Sequence, residues 1–279
     1  MTAPGIYDGI PDDVYHADKE SLSVSGAKKL LPPSCPALFK WQQDHGQPRK
    51  AVFDFGRAAH TLVLGSGQEI VRIDAEDWRG KAAREQRDAV YAEGLTPLLK
   101  HEYQQACEMA DAIAAHPIAS ALLNPDRGKP EQSAYWLDTD YDVMRRCRFD
   151  WLPETDGGRL VLPDYKTARS AEPGAFSRAA ASFGYHMQAA WYIDAARALG
   201  LAEDISFVFI AQEKTAPYLV TVVELDYLSV DAGRRHNDDA MHIYRQCIDS
   251  GVWPGYADGI EVISLPTWAF YEDEMDVAI

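Results

Sequence analysis

A chain of 279 residues, 47% hydrophobic and 25% charged, has enough apolar material for one large domain or two small ones. No apolar run reaches the roughly eighteen residues that a membrane-spanning helix needs. A formal net charge of −16 argues against simple nucleic-acid binding, which leaves a basic footprint, unless the charge is segregated and bound cations cancel some of the acids.

The N-terminus has neither a basic region nor an apolar stretch of the secretory kind. Cys35, Cys107, Cys147 and Cys247 are far apart and form no C-x-x-C pair, so free thiols in a reducing, cytoplasmic compartment are expected. Neither repeats nor low-complexity linkers occur, and 1–279 is expected to be a single decorated domain. Its parts are a helical N-terminal portion (1–125), a core (126–250) and a C-terminal tail (251–279).

In chain order, residues 1–20 are turn-rich, with Pro4, Gly5, Gly9 and Pro11. Ser23 or Ser25 is placed to cap a short helix over 26–31, which Pro32-Pro33 ends, and a second helix begins at Pro36 and runs to 42. Residues 47–50 are expected to be a loop. Residues 53–64 read as a helix with Phe55, Ala58, Ala59, Leu62 and Val63 on its apolar side. Gly56 there permits close packing and shares a face with His60, four residues on. A strand over 69–73 precedes two helical stretches, 77–92 and 92–116, the second with a stripe of Tyr103, Ala106, Ala110 and Ile113.

Three antiparallel strands follow, over 131–137, 143–151 and from 160 onward. The second and third form a hairpin around the turn signal Thr155-Asp156-Gly157-Gly158. Residues 173–199 are helical, with Tyr185, Gln188, Ala189 and Tyr192 on one face. The continuous apolar run 205–211 reads as a buried strand, 217–225 as its partner, and 229–249 as a helix.

The chemistry gathers on the hairpin. In Asp164-Tyr165-Lys166 the acid and the lysine leave the strand on one face, because side chains alternate with period two. Alone, such a triplet is more often an edge ion pair. Asp150 at the end of the preceding strand changes the balance, since two carboxylates at cross-strand distance repel unless a cation lies between them. A Mg²⁺ or Mn²⁺ ion meets that need, with Lys166 to orient or deprotonate a water. By the same alternation Arg146 and Arg148 point with Asp150, and are expected to meet a phosphate backbone. Arg145 points away, toward packing or a surface ion pair.

Asp150 with Asp164-Tyr165-Lys166 resembles the PD-(D/E)xK nuclease signature, although Phe149 stands where that signature has proline. Gly56-Arg57-Ala58-Ala59-His60 resembles the G-x-x-x-H motif of its RecB-like branch, and Gln188-Ala189-Ala190-Trp191-Tyr192 that branch's Q-x-x-x-Y. Tyr15-His16-Ala17, Leu22-Ser23-Val24-Ser25 and Leu265-Pro266-Thr267-Trp268-Ala269 resemble the exonuclease VIII nuclease domain of prophages, so the likeness runs from about residue 10 to 268.

The resemblance implies an α/β, restriction-endonuclease-like core, a mixed central sheet flanked by helices, with added N-terminal helices. It implies a metal held by His60, Asp150, Asp164 and the Tyr165 carbonyl. Glu131 would be a further acid, Lys166 would position water, and Gln188, Tyr192, Ser23 and Ser25 would lie near DNA. The iron–sulfur cluster of some RecB-like nucleases is not expected, because its clustered cysteines are missing. The implied activity is Mg²⁺-dependent degradation of double-stranded DNA from its ends, 5′ to 3′. A ring of subunits and a single-strand annealing partner are implied with it. A Cas4-like or endonucleolytic end-processing enzyme, or a DNA-end-binding phage protein without activity, are the alternatives.

Overall fold

The computed structural model describes residues 2–46, 51–155 and 157–270. The chain begins with β1 (Gly5–Tyr7), α1 (Asp12–Ala17), β2 (Leu22–Ser23), α2 (Val24–Leu30) and α3 (Pro36–His45). A 3₁₀ turn, Ala51–Phe53, leads into α4 (Asp54–Leu64), β3 (Ile70–Ile73), α5 (Lys81–Ala92), β4 (Thr96–Leu99), α6 (Lys100–Ala115) and α7 (Pro117–Leu122). Then come β5 (Gly128–Asp138), β6 (Val143–Pro153), β7 (Leu160–Ala168), α8 (Pro173–Ser182), α9 (Tyr185–Ala198), β8 (Ile205–Glu213), β9 (Val220–Glu224) and α10 (Tyr227–Ser250).

The strands form one sheet in the order β1-β5-β6-β2 and another in the order β7-β8-β9, with β3 and β4 paired apart from both. β5 and β6 are antiparallel, while β2 adds to β6 in parallel. β7 and β8 are parallel, joined by α8 and α9 as a parallel crossover requires, and β9 closes antiparallel on β8. The arrangement is therefore mixed α/β with helices on both faces. On one face Trp136, Phe149, Leu162 and Phe209 pack with Trp191 of α9, Phe176 of α8 and Met241 of α10. On the other, Trp151, Tyr165 and Ile210 pack against Ala59 of α4 and Met109 and Ile113 of α6. Burying both faces explains why β8 is buried from Ile205 to Gln212 and apolar throughout its middle, from Phe207 to Ala211.

Three expectations need correction. β6 and β7 lie side by side but share no ladder, so they are not a hydrogen-bonded hairpin. The Tyr165 N–H instead reaches the Asp150 carboxylate, at 2.8 Å. The stretch 92–116 is not wholly helical: Thr96–Leu99, all buried, pairs in parallel with β3 before α6 starts. The turn-rich residues 1–20 hold β1, which pairs antiparallel with β5 at the sheet edge, and α1, whose Tyr15 packs on Tyr135 and Met144 of β5 and β6. Ser23, not Ser25, caps α2, accepting the Gly26 N–H at 3.2 Å. Residues 47–50 and Asp156 of the turn signal lie outside the described residues. Among the described residues no helix is long and apolar enough to cross a membrane.

Candidate active site

The ends of β6 and β7 and one face of α4 and α9 converge on a cleft of about 510 Å³, lined by His60, Glu131, Asp150, Lys166 and Gln188 among others. α4 presents His60 to the cleft because Ala58 and Ala59 face inward and are fully buried. His60 bridges two acids: its Nε2 is 3.0 Å from Asp150 Oδ2 and its Nδ1 is 3.3 Å from Glu131 Oε1. Glu131 does not head its strand as expected. It sits inside β5, opposite Asp150, at a φ of 53°. A non-glycine residue held in left-handed geometry is strained, and its neighbours must fix it there.

The second half of the site is deeper. Asp164 is 1% exposed. Its Oδ1 accepts the Gln188 amide at 2.7 Å, and its Oδ2 pairs with the Lys166 ammonium. Lys166 Nζ also lies over the Tyr185 ring, 5.4 Å from its centre. The shared face read from alternation is thus a direct ion pair.

The two aspartates are driven in opposite directions. Burial would raise Asp150, but the charge and hydrogen bond of His60, with Lys166 and the Tyr165 N–H, hold it below the ordinary carboxylate range. Burial, then the charge of Asp150, push Asp164 up to about 6 despite Lys166. Burial and Asp150 likewise push Glu131 up to about 7. Burial would lower His60, yet Asp150 and then Glu131 outweigh it and carry the imidazole to about 9. Lys166 is raised too, its desolvation outweighed by Asp164 and Asp150. Two buried acids of like charge separated in this way are what a catalytic carboxylate pair requires.

A family model described as a PDDEXK-like domain of unknown function, DUF3799, matches residues 23–266. The chain belongs to this family. A solved exonuclease candidate from Eubacterium rectale superimposes with a TM-score of 0.61 at 15% identity, over 97% of this chain and 98% of that one. A phage-related exonuclease from Haemophilus somnus 129PT aligns over 83% of this chain and 96% of that one, at 12% identity and a TM-score of 0.33. The first likeness supports the fold alone; the second is too loose to support an argument. No curated protein matches the chain.

The donor set of this PDDEXK-like site suits a hard divalent cation. Asp164 Oδ2 is buried with the Lys166 ammonium as its contact, which leaves it lone-pair capacity for an ion. At Gly56, on the cleft wall, an added Cβ would meet only the Thr167 hydroxyl, at 3.7 Å, so the glycine keeps the cleft open rather than serving tight packing. Among the described residues no three His, Cys, Asp or Glu donors converge on one point, because His60 stands between its acids and Asp164 turns toward Gln188 and Lys166. An ion would have to take over from His60 the role of neutralising Asp150.

The remaining predicted residues, Gln188, Tyr192, Arg146, Arg148, Ser23 and Ser25, also line the cleft, and most of them are engaged with the protein itself. Gln188 is on Asp164, where it orients the acid. Tyr192 is buried, edge-on to Phe149 and Phe207. Arg146 donates to the Ser21 carbonyl, and to its hydroxyl at 2.8 Å. Arg148 donates to Ser133 at 3.0 Å, to the Ile10 carbonyl at 2.8 Å and to Asp12. Both guanidiniums do share the cleft face with Asp150, but the N-terminal segment occupies them. Arg145 lies 3.7 Å from the Trp191 ring centre and pairs with Asp138 at 2.8 Å. The Tyr165 hydroxyl donates to Gln212 at 2.6 Å. Ser25 is exposed at the cleft rim. The roles of Ser21, Asp12 and Asp18, the last 3.6 Å from the Arg146 guanidinium, had no signal in the sequence beyond an acidic, turn-rich N-terminus.

Proposed function

We propose that this PDDEXK-like protein is a metal-dependent nuclease that degrades double-stranded DNA from its ends, resembling exonuclease VIII. The observation that carries the reading is the buried Asp164–Lys166 pair beside Asp150 and His60, in an open cleft. Asp150, Asp164, His60 and the Tyr165 carbonyl would hold Mg²⁺ or Mn²⁺, which when bound supplies Lewis-acid polarisation of a phosphoryl oxygen. Lys166 orients the attacking water and places positive charge where the transition state gains negative charge. Gln188 fixes the plane of the Asp164 carboxylate, and Glu131 offers a second acceptor for a proton. The 5′-to-3′ direction, a ring of copies and an annealing partner extend this reading.

The test is to incubate linear and closed-circular duplex DNA with the protein in Mg²⁺ or in EDTA. Loss of linear DNA only, and only with Mg²⁺, is the expected result. Cutting of the circle would replace the exonuclease reading with an endonuclease. Inertness toward every DNA form would leave an end-binding protein.

A further inference from the structure

Two histidines outside the cleft lining have no part in that chemistry. His186 on α9 and His236 on α10 meet at the surface, with Nε2 of the first 3.2 Å from Nδ1 of the second and ring centres 5.3 Å apart. The backbones that carry them are locked together. A Cβ at Gly233, three residues before His236, would lie 2.0 Å from the His186 carbonyl oxygen, so only glycine allows this approach. On the other side of His236, the Asn237 amide donates to the Met187 carbonyl at 2.9 Å. The imidazoles are therefore held edge to face, at an interplanar angle of 66°, by rigid elements, which is what a preorganised site needs. His186 also has a hydrogen-bond partner in the Ala180 backbone, the kind of second contact that fixes a tautomer.

We propose that His186 and His236 form a binding site for a borderline transition-metal ion, Zn²⁺ foremost, that clips α9 to α10. A tetrahedral ion with bonds of about 2.0–2.1 Å sets two ligand nitrogens about 3.3–3.4 Å apart. The observed 3.2 Å needs only a small turn of each ring. Imidazole suits Zn²⁺, Cu²⁺ and Ni²⁺, whereas Mg²⁺ prefers oxygen, so the two sites select different ions. Water completes the coordination shell. Gln188, two residues after His186, holds Asp164, so the clip steadies the helix that orients that acid.

The test uses the full chain and Zn²⁺, titrated by competition with a chromophoric chelator, with melting temperature followed in parallel. The native chain, the doubly substituted Asp150→Asn/Asp164→Asn chain and that chain with His236→Ala added are compared. The native and doubly substituted chains should bind Zn²⁺ and gain about 2–4 °C for each kcal/mol of binding. His236→Ala introduced into the doubly substituted chain, which lacks the cleft acids, should lose both effects. His236 is exposed, so its removal leaves the fold intact, which circular dichroism checks. Unchanged Zn²⁺ binding by that triply substituted chain would overturn the proposal, as would a melting temperature of the doubly substituted chain that ignores Zn²⁺. Neither result bears on whether DNA is the substrate.

Discussion

Strand β6 carries two kinds of charge along one stretch, and they are treated in opposite ways. Its arginines are matched: Arg145 by Asp138 and Trp191, Arg146 by Ser21 and Asp18, and Arg148 by Asp12, Ser133 and the Ile10 carbonyl, with Glu131 a further 3.7 Å ion-pair partner. Its terminal acid, Asp150, is set near two further acids, Glu131 and Asp164, whose ionisation burial and like charge oppose. Charge that finds local partners of opposite sign holds the fold. Charge gathered with its own sign in a buried place costs stability and is useful only if something else binds there. Each prediction below tries that division, the largest effect first.

Replacing Asp164 by Asn or Lys166 by Met should leave the fold intact by circular dichroism, yet lower the rate of DNA degradation by about 10³-fold. Near-native turnover of Lys166→Met in Mg²⁺ would show that the buried pair is only structural. Gln188→Ala should follow, with kcat falling about 10–100-fold while KM moves little, because the amide acts on Asp164 rather than on substrate. If KM rose and kcat held, the glutamine would be a DNA contact after all.

His60→Ala should weaken Mn²⁺ binding by about 10-fold, measured by titration calorimetry, and should change DNA affinity less. An unchanged metal affinity would make His60 a counter-ion for Asp150 and Glu131 and nothing more.

How far such a division can be read from sequence depends on the range of the interaction. Asp164 and Lys166 were legible because alternation along one strand is local and obligatory. His60 was legible only through the spacing of its motif. Gln188 was recognisable as a site residue, but its partner was not, since that depends on how α9 lies over β7 across a crossover. The fate of Arg146 and Arg148 was hidden for a similar reason. Their N-terminal partners lie in a six-residue helix without a side-chain cap, Asp12, and in the irregular residues on either side of it, Ile10, Asp18 and Ser21, stretches too short to leave a periodic pattern. β4 was missed because Thr96-Pro97-Leu98-Leu99 lies between two long helices and contains a proline. The His186–His236 pair joins positions fifty residues apart, and no spacing rule relates them.

The smallest expected effect concerns Arg148 and Asp12. If Arg148 belongs to the fold, then Asp12→Asn should weaken the hold of the N-terminal segment and leave catalysis per folded molecule unchanged. The side chain of Asp12 is 37% exposed, so its ion pair is screened and should be worth no more than about 1 kcal/mol. Arg148 itself is 11% exposed and makes several contacts besides Asp12. Its removal to Ala should therefore cost more, about 2–3 kcal/mol. Urea unfolding of both variants gives the two numbers, and a steady slope with a shifted midpoint marks a change in stability rather than in compactness. The opposite pattern would break the comparison. If Asp12→Asn bound DNA more tightly, the acid would be standing where a phosphate goes. Arg148 would then be released by the N-terminal segment to meet the backbone, as strand alternation alone suggests.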